Sequence, residues 1–204
     1  MKIRPWLSKT QFLAKIRHIE EDWLTPVEYL PYIDAVIGDI DLDPCSTHHA
    51  NNEFLKAKQI YTLKEDGLNI DIPWTGTTYL FPPTYGRCSH NKERGTIRWS
   101  LSRGKWSPSH AWFNRLEREW KVRNVPEALF FTTNPELMRT NQNIWNYPIC
   151  IPQKRCNLVH GKYMAVTLPG HSWGYFIYLP KMEYGFSQVD KFVDVFSNLG
   201  KVIY

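Results

Sequence analysis

The sequence predicts one α/β domain with a mixed sheet between two layers of helices, and two observations lead to this fold class. Strand-like and helix-like segments alternate through the first part of the 204 residues, which is typical of parallel strands joined by helices. Later, apolar strand-like segments follow one another closely, as in antiparallel hairpins. A chain of this length with 43% hydrophobic residues can bury a core, so residues 1–204 are expected to form a single three-layer domain.

Two helices and a strand are predicted before residue 45. Apolar residues recur at helical spacing in the first twenty residues, namely Phe12, Ile16 and Ile19. A second helix is expected to begin at Thr25, because Thr25 suits the N-cap, Pro26 the first position and Glu28 the third. A short strand then ends at Asp43-Pro44.

The middle of the chain continues this alternation. A polar helical stretch leads to a turn at Asp66-Gly67, and the strand-like segment 77–81 stops at Pro82-Pro83. A helix is expected after Ser107, which suits the N-cap, with an apolar face of Trp112, Leu116 and Trp120. A buried strand over 127–133 and a helix through Ile144 and Trp145 follow.

The last part of the chain predicts three strands, one helix and a final strand. The strands cover 147–152, 163–168 and 174–180. The helix covers 187–200, with Gly200 as its C-cap, and the final strand covers 201–204.

Composition excludes several classes of protein. No run of eighteen apolar residues occurs, so no membrane partner is expected. The N-terminus lacks the apolar region of a secretory signal and the four cysteines lack C-x-x-C spacing, so a cytoplasmic protein without a metal site is expected. Cys45 lies near His48 and His49, but a polar loop after a strand explains this group better than metal ligands do. Cys88 and His90 are similarly weak evidence for a metal.

Positive charge is concentrated in the segment 86–110, which we call the basic segment. Its surplus of five equals the net charge of the whole chain, +5, because Glu93 opposes six basic residues: Arg87, Lys92, Arg94, Arg98, Arg103 and Lys105. A solvated loop could carry these charges. A segment that contacts phosphates would carry them too, with Trp99 and Trp106 as base or groove contacts. The concentration favours an insertion that contacts nucleic acid.

Three motifs follow strand or turn signals in order along the chain. Asp43-Pro44-Cys45 ends one strand, the acidic turn 65–68 comes next, and residues 79–86 (YLFPPTYG) end another strand. In open α/β sheets, ligands bind beyond the carboxyl ends of the strands, so the motifs predict one shared site. Asp43 could instead cap a helix after its strand, and Asp66 could be an ordinary turn residue.

Taken in this order, the motifs resemble those of the phage-type DNA N6-adenine methyltransferases, which use S-adenosylmethionine (SAM). The resemblance covers roughly residues 21–180 and ends in a segment, 147–161, that looks like the family's closing strand with its basic residue, here Arg155. The matching motifs are Trp23-Leu24-Thr25-Pro26, Asp41-Leu42-Asp43-Pro44-Cys45, Tyr61-Thr62, Glu65-Asp66-Gly67-Leu68, Trp74-Thr75-Gly76 and Phe81-Pro82-Pro83-Thr84-Tyr85-Gly86.

The resemblance implies a Rossmann-like methyltransferase fold with SAM across the carboxyl ends of the central strands. In that fold Asp66 would lie near the adenine ring, where a carboxylate accepts from an exocyclic amine. The implied cofactor-binding residues are Trp23, Thr25 and Pro26 at the methionine end, Asp43, Pro44 and Cys45 in the first cofactor loop, and Asp66. The resemblance also implies DNA as the partner, with the target adenine flipped out of a duplex, and the host cytoplasm as the location of a phage-encoded enzyme.

The implied catalytic motif is Phe81-Pro82-Pro83-Thr84-Tyr85. In the family, an Asn side chain and a Pro carbonyl accept hydrogen bonds from the adenine amine and align it with the sulfonium methyl group, while an aromatic residue stacks on the base. Here Phe81 stands in place of the Asn (or Asp), and Thr84 is inserted before Tyr85. A phenylalanine accepts no hydrogen bond, although the Thr84 hydroxyl could partly substitute.

Three functions are compatible with these residues. The first is a SAM-dependent methyltransferase that acts on adenine N6 in DNA. The second is a catalytically inactive relative that binds DNA or SAM as a regulatory or accessory subunit, which the substitution at Phe81 and the insertion of Thr84 favour. The third is methylation of another planar amine, such as cytosine N4, RNA or a small molecule, and the basic segment argues against the small molecule.

Overall fold

The computed structural model describes residues 23–83, 87–91, 96–100, 107–160, 167–182 and 185–204. Its strands are β1 (Trp23–Leu24), β2 (Leu42–Asp43), β3 (Gln59–Ile60), β4 (Thr78–Leu80), β5 (Arg87–Asn91), β6 (Thr96–Ser100), β7 (Ala128–Thr132), β8 (Ile149–Pro152), β9 (Cys156–His160), β10 (Thr167–Ser172), β11 (Tyr175–Leu179) and β12 (Gly200–Ile203). Its longer helices are α1 (Leu30–Ile37), α2 (Pro108–Lys121), α3 (Glu136–Thr140) and α4 (Gly185–Phe196). Shorter helical segments are Val27–Tyr29, His48–Ala50, Asn51–Leu55 and Gln142–Asn146.

A seven-stranded mixed sheet forms the centre, in the order β12-β8-β11-β7-β4-β2-β3. The strands β3, β2, β4 and β7 run parallel, while β11 is antiparallel to both β7 and β8, and β12 is antiparallel to β8. The strand β3, which follows β2 in the chain, lies on one side of β2, and β4, which follows β3, lies on the other side of β2. The strand order therefore reverses at β2, and such a reversal opens a crevice at the carboxyl ends of the strands.

Helices cover both faces of this sheet. Successive residues of a strand point to opposite faces, and in β7 Phe130 packs against Phe113 of α2 while Phe131 packs against Phe176. The first face forms one core with α2, and the second forms another core with α1 and α4. The arrangement is mixed α/β in three layers, in agreement with the predicted fold class.

Two smaller sheets accompany the central one. In the first, β9 lies between β1 and β10 and all pairs are antiparallel, with Trp23 opposite His160. Trp23, Cys156 and Leu158 join the core on the α1 side, so β1 is brought towards the central sheet. The second is the hairpin of β5 and β6, which lies in the basic segment and pairs Arg87 with Ser100.

The structure corrects the predicted start of the second helix. Thr25 is not its N-cap: the chain first forms a 3-10 turn at Val27–Tyr29, and α1 begins at Leu30 without a capping side chain. The Thr25 hydroxyl lies instead 2.9 Å from the Tyr79 hydroxyl, in a buried hydrogen bond to β4. The Thr25 side chain therefore forms a hydrogen bond with a residue distant in the sequence, although local capping rules predict that it caps the helix.

Other elements are closer to expectation. The strand that ends at Asp43 and the helix capped by Ser107, whose Oγ accepts from the His110 amide, are confirmed. The strand before Pro82 is confirmed too, and it ends at Leu80. The helix expected through Trp145 is split into α3 and a 3-10 segment. Gly200 is no C-cap, because α4 ends at Phe196 and Gly200 is the first residue of β12. The helix of the first twenty residues and most of the strand 163–168 lie outside the described residues. No described helix is long and apolar enough to cross a membrane.

Candidate functional site

The motifs converge at the carboxyl ends of β2, β3 and β4, where the strand order reverses. Two pockets lie there, each with a volume of about 40 Å³, and both are bordered by Cys45. We call them the Asp43 pocket and the Asp66 pocket after the carboxylate in each. Residues from five separate stretches of sequence meet at these pockets, because the central strands end next to one another and α2 packs beside them.

The Asp43 pocket lies beside the first residues of β1. Its lining combines the end of β2, the segment after it and the residue after β4, namely Trp23, Leu24, Thr25, Asp43, Cys45, Ala50, Phe54, Leu55 and Phe81. The pairing of β1 with β9 positions Trp23 and Leu24. Aromatic and aliphatic side chains therefore surround one buried carboxylate.

The Asp66 pocket lies on the α2 side. It is lined by Pro44, Cys45, Ser46, Tyr61, Thr62, Leu63, Asp66, Gly67, Leu68, Pro83 and Trp112. Asp66 is exposed at its rim with a backbone φ of 55°, and its carboxylate accepts from the Leu68 amide at 3.2 Å. The turn role of Asp66 is therefore confirmed, and partial desolvation raises the pKa of its carboxyl group.

The loop 61–74, which forms one wall of the Asp66 pocket, is held by side chains from both ends and from α2. The Trp74 indole donates to the Gly67 carbonyl at 3.0 Å, and the Tyr61 hydroxyl donates to the Pro73 carbonyl at 2.5 Å. From α2, the Arg115 guanidinium donates to two further carbonyls of the loop, those of Asn69 (3.3 Å) and Ile72 (2.8 Å). These bonds satisfy backbone carbonyls of a loop that has no sheet partner of its own.

Gly67 allows the acidic turn to pack directly on the Asp43-Pro44-Cys45 turn. A Cβ atom at residue 67 would lie 2.1 Å from the Pro44 carbonyl oxygen and 3.0 Å from the Trp112 ring. No side chain other than hydrogen fits this contact, which joins the walls of the two pockets.

We expect Gly67→Ala to lower the free energy of unfolding by about 2–3 kcal/mol, because the loop must move away from a backbone atom that cannot yield. Urea unfolding measures this. Gly38→Ala measures backbone strain alone, since Gly38 has φ 62° and ψ −134° but nothing lies within 4 Å of a Cβ there; this strain should cost about 1–3 kcal/mol. A loss below about 1 kcal/mol for Gly67→Ala would contradict the close packing of the two turns.

Asp43 is buried at the carboxyl end of β2. Its Oδ1 accepts from the Cys45 amide at 3.1 Å, and burial raises the pKa of its carboxyl group to about 6. It does not cap the following helix, because that role belongs to Thr47, whose Oγ1 accepts from the Ala50 amide at 3.0 Å. The Asp43 carboxyl group therefore lies among mainly apolar side chains and accepts hydrogen bonds from the Cys45 amide and the Ser46 side chain.

This burial makes the stability of the fold depend on pH. The folded pKa of about 6 lies above the unfolded value of about 3.9, so the folded chain holds the proton more tightly, and this contribution is present below pH 4 and lost as pH rises through 6. Asn at residue 43 is neutral at every pH. We expect the free energy of unfolding of Asp43→Asn, relative to the unsubstituted chain, to rise by roughly 2–3 kcal/mol between pH 4 and pH 7.5 in urea unfolding.

Asp39→Asn is the control for this measurement, because the Asp39 side chain is 88% exposed. Its difference from the unsubstituted chain should stay nearly constant over the same pH range. A constant difference for Asp43→Asn as well would show that Asp43 is hydrated in solution.

Phe81 is the residue at which the site departs from the resembled motif. Its side chain is 8% exposed, and its ring lies 4.9 Å from that of Phe131 and borders the Asp43 pocket. Phe131 in turn contacts Phe176, which contacts Phe196 of α4. Phe81 therefore ends a row of core rings and contributes an apolar wall where the resembled motif has a hydrogen-bond acceptor.

Eight of the twelve predicted catalytic and cofactor-binding residues are brought together. Trp23, Thr25, Asp43 and Phe81 border the Asp43 pocket, Pro44, Asp66 and Pro83 border the Asp66 pocket, and Cys45 borders both. Pro26 and Pro82 are buried next to these residues but line neither pocket. Thr84 and Tyr85 lie outside the described residues.

The basic segment is described only in part. Arg87 and Arg98 lie on the strands of its hairpin, in β5 and β6, which are described by their backbone. Lys92, Arg94, Arg103 and Lys105 lie outside the described residues. For this segment the structure therefore shows the backbone pairing of β5 with β6.

Several residues that line the pockets were not predicted from the sequence. Phe54 and Leu55 line the Asp43 pocket, and Trp112 lines the other. Trp112 could have been suspected, because it begins the apolar face of α2, but Phe54 and Leu55 lie in a polar stretch without a motif. Within the described residues, no group of three or more His, Cys, Asp or Glu side chains is placed to hold a metal ion.

Comparison with known proteins adds no relative. The chain matches no protein-family model, and the searches of curated proteins and of solved structures give no significant match.

Proposed function

We propose that the protein is a SAM-dependent methyltransferase that acts on adenine N6 in DNA. The observation that carries the proposal is the convergence of the separate motifs at one place in the fold. Asp43-Pro44-Cys45, the acidic turn at Asp66, and Phe81 with Pro83 border two adjacent pockets. This place is the carboxyl edge of the sheet at the reversal of strand order, where open α/β sheets bind their ligands.

The chemistry of the residues fits SAM. The Asp66 pocket offers flat apolar walls from Pro83 and Trp112, with the Asp66 carboxylate at its rim as an acceptor for an exocyclic amine. In the Asp43 pocket, Asp43 is ionised above about pH 6 and can pair with an ammonium group. SAM with its adenosine in the Asp66 pocket and its methionine in the Asp43 pocket would pass Cys45, which borders both, and would contact both carboxylates.

The size of the pockets sets a condition for this binding. Each pocket has about 40 Å³, whereas sites for small molecules have about 300 Å³ or more. A ligand as long as SAM would therefore extend through both pockets and displace side chains at their rims. Leu63 borders the Asp66 pocket and is 56% exposed, so it can move without disturbing the core.

Bound SAM would supply the methyl group, and the chain would hold and orient the base that receives it. Phe81 and Trp23 provide apolar contacts for a flat ring beside the Asp43 pocket. Because Phe81 accepts no hydrogen bond, the acceptors for the adenine amine at this turn are the Pro82 carbonyl, as the resemblance implies, and the hydroxyl of the inserted Thr84 as a partial substitute for the missing Asn. One acceptor fewer typically costs a few kcal/mol in the transition state, so we expect slow transfer.

A second candidate is a catalytically inactive relative that binds SAM or nucleic acid. The burial of Phe81 in the row of core rings favours it, because the residue serves packing. In this case the two pockets retain a cofactor that orders the loop 61–74 and the site has no turnover.

Calorimetry with SAM, followed by transfer from labelled SAM to unmethylated duplex DNA, tests both candidates. The methyltransferase proposal expects SAM binding that weakens below about pH 6, as Asp43 becomes protonated, and label on adenine N6. SAM binding without transfer to DNA, RNA or free nucleoside would leave the inactive relative. No SAM binding at any pH would refute the methyltransferase and would leave only an inactive relative that binds nucleic acid.

The basic segment gives a separate test of the DNA partner. We expect replacement of Arg94, Arg98 and Arg103 by Gln to weaken binding to duplex DNA and to lower the slope of log K against log salt by about 2–3, close to 0.9 per lost phosphate contact. Fluorescence anisotropy at several salt concentrations measures this. An unchanged slope would show that these arginines contact no phosphate.

A further inference from the structure

We infer that Trp173 and Arg155 form a contact for an unpaired nucleotide outside the two pockets, with the Trp173 indole stacking on a base and Arg155 and Lys154 binding phosphate. The inference deepens the proposed function and rests on it in taking nucleic acid as the partner. Neither Trp173 nor this pairing belongs to the motifs discussed above.

Trp173 and Arg155 lie at the same edge of the central sheet as the pockets. Tyr175 of β11 is paired with Thr132, the last residue of the parallel strand β7, so Trp173 lies beyond the carboxyl end of β7. Arg155 follows β8, whose carboxyl end is at this same edge because β8 and β7 both run antiparallel to β11. The strand β11 is two positions from β4, which places the two sites about 10 Å apart across the sheet.

The position of Trp173 is fixed by its neighbour. A Cβ atom at Gly174 would lie 2.3 Å from the Phe131 ring, so the backbone after Trp173 is pressed against a core side chain. Phe131 also contacts Phe81, at 4.9 Å between ring centroids. The Phe131 ring therefore packs against Phe81 in the wall of the Asp43 pocket and against the backbone of Gly174, the residue after Trp173.

The side chains at this place suit a nucleotide. Trp173 is 51% exposed, and the Arg155 guanidinium lies 5.4 Å from the centre of its ring. A cation over one face of an indole leaves the other face for stacking, and base–aromatic stacking with an adjacent arginine is how proteins bind single strands. Lys154 is exposed beside Arg155 and adds a second positive charge.

The positive charge next to Trp173 favours a polyanionic ligand over an apolar one. Lys154 and Arg155 are the basic residues next to Trp173, and the stretch of sequence that contains them, 137–182, has no Asp or Glu. Glu28 is a carboxylate at this surface, and it accepts from the Asn157 amide at 3.3 Å. Two adjacent basic side chains, Lys154 and Arg155, beside an exposed indole have the features of a contact for single-stranded nucleic acid.

The test is the binding of a fluorescein-labelled 20-nucleotide single strand by anisotropy, without cofactor and at several salt concentrations. We expect Trp173→Ala to weaken binding by about 5-fold to 100-fold and Trp173→Phe to retain most of it, because the ring and not the indole nitrogen makes the stack. Arg155→Gln should weaken binding and lower the salt slope by about 0.7. Trp173 is exposed, so circular dichroism should show an unchanged fold for its variants.

Two variants at the opposite edge of the sheet are matched controls. Trp145 is 46% exposed and precedes β8, and Arg123 is exposed between α2 and β7. We expect Trp145→Ala and Arg123→Gln to bind like the unsubstituted chain. Equal effects of Trp173→Ala and Trp145→Ala, or no binding of the single strand by the unsubstituted chain, would overturn the inference. Failure to bind SAM would refute the proposed methyltransferase. The anisotropy measurement would still decide whether Trp173 and Arg155 bind a single strand.

Discussion

Arg115→Ala is expected to lower the free energy of unfolding by about 3 kcal/mol, one of the two largest effects that we expect of a single substitution here. The Arg115 side chain is 5% exposed and lies 3.0 Å from the Glu119 carboxylate, which is 7% exposed. Removing the guanidinium leaves a buried carboxylate without this partner, and two carbonyls of the loop 61–74 lose their donor. The guanidinium also lies 5.4 Å from the Trp74 ring.

The expected loss is at the lower end of the range for broken buried pairs because Glu119 keeps other partners. Arg118 lies 3.0 Å from its Oε1, and the Asn124 amide donates to its Oε2 at 2.8 Å. Urea unfolding measures the stability of the variant. Calorimetry with SAM on the folded variant tests whether the loop 61–74 still forms its wall of the Asp66 pocket. We expect weaker SAM binding as well, since the released loop is a wall of the Asp66 pocket.

Arg118→Ala is the matched control, because it removes a cation from the same carboxylate at a position that is 47% exposed. Exposed ion pairs contribute about 0–1 kcal/mol, so its effect should be small. Similar losses for the two arginines would show that Arg115 does not hold the loop.

Phe81→Asn is expected to raise the rate of methyl transfer by about 10²- to 10³-fold if the chain is a methyltransferase with a weakened site. The reason is that Asn restores a preorganised acceptor for the adenine amine beside the Asp43 pocket, and one such acceptor contributes a few kcal/mol to a transition state. The substitution also removes a buried ring and should cost about 3 kcal/mol of stability. Single-turnover transfer from labelled SAM, corrected for the folded fraction, measures the gain.

Phe81→Leu is the control, because it removes the contact with Phe131 and supplies no acceptor. It should lose stability without any gain in rate. A gain for Leu as large as for Asn would point to looser packing as the cause. No gain for a folded Asn variant that still binds SAM would instead favour the inactive relative.

The comparison of prediction and structure separates local from tertiary causes. Ser107 and Pro108 predicted the start of α2 correctly, because capping depends on a few neighbouring residues. The same rules were wrong at Thr25, whose hydroxyl bonds to Tyr79, 54 residues away in the sequence. They were also wrong at Gly200, which packs against the Ile151 backbone as the first residue of β12. In both cases a distant partner outweighs a local preference.

The sequence by itself predicted a mixed α/β fold and the meeting of the motifs at the carboxyl edge of the sheet, because periodicity, turn residues and the order of the motifs can be read from short stretches of residues. The polar stretch that contributes Phe54 and Leu55 to the Asp43 pocket had no such signal. Only the tertiary structure decided that Asp43 is a buried carboxyl group, that Gly67 joins the two turns and that Arg115 holds the loop. It also decided that Phe81 belongs to the core. Burial and contact between residues far apart in sequence arise when the strands assemble side by side, and no single stretch of residues encodes them.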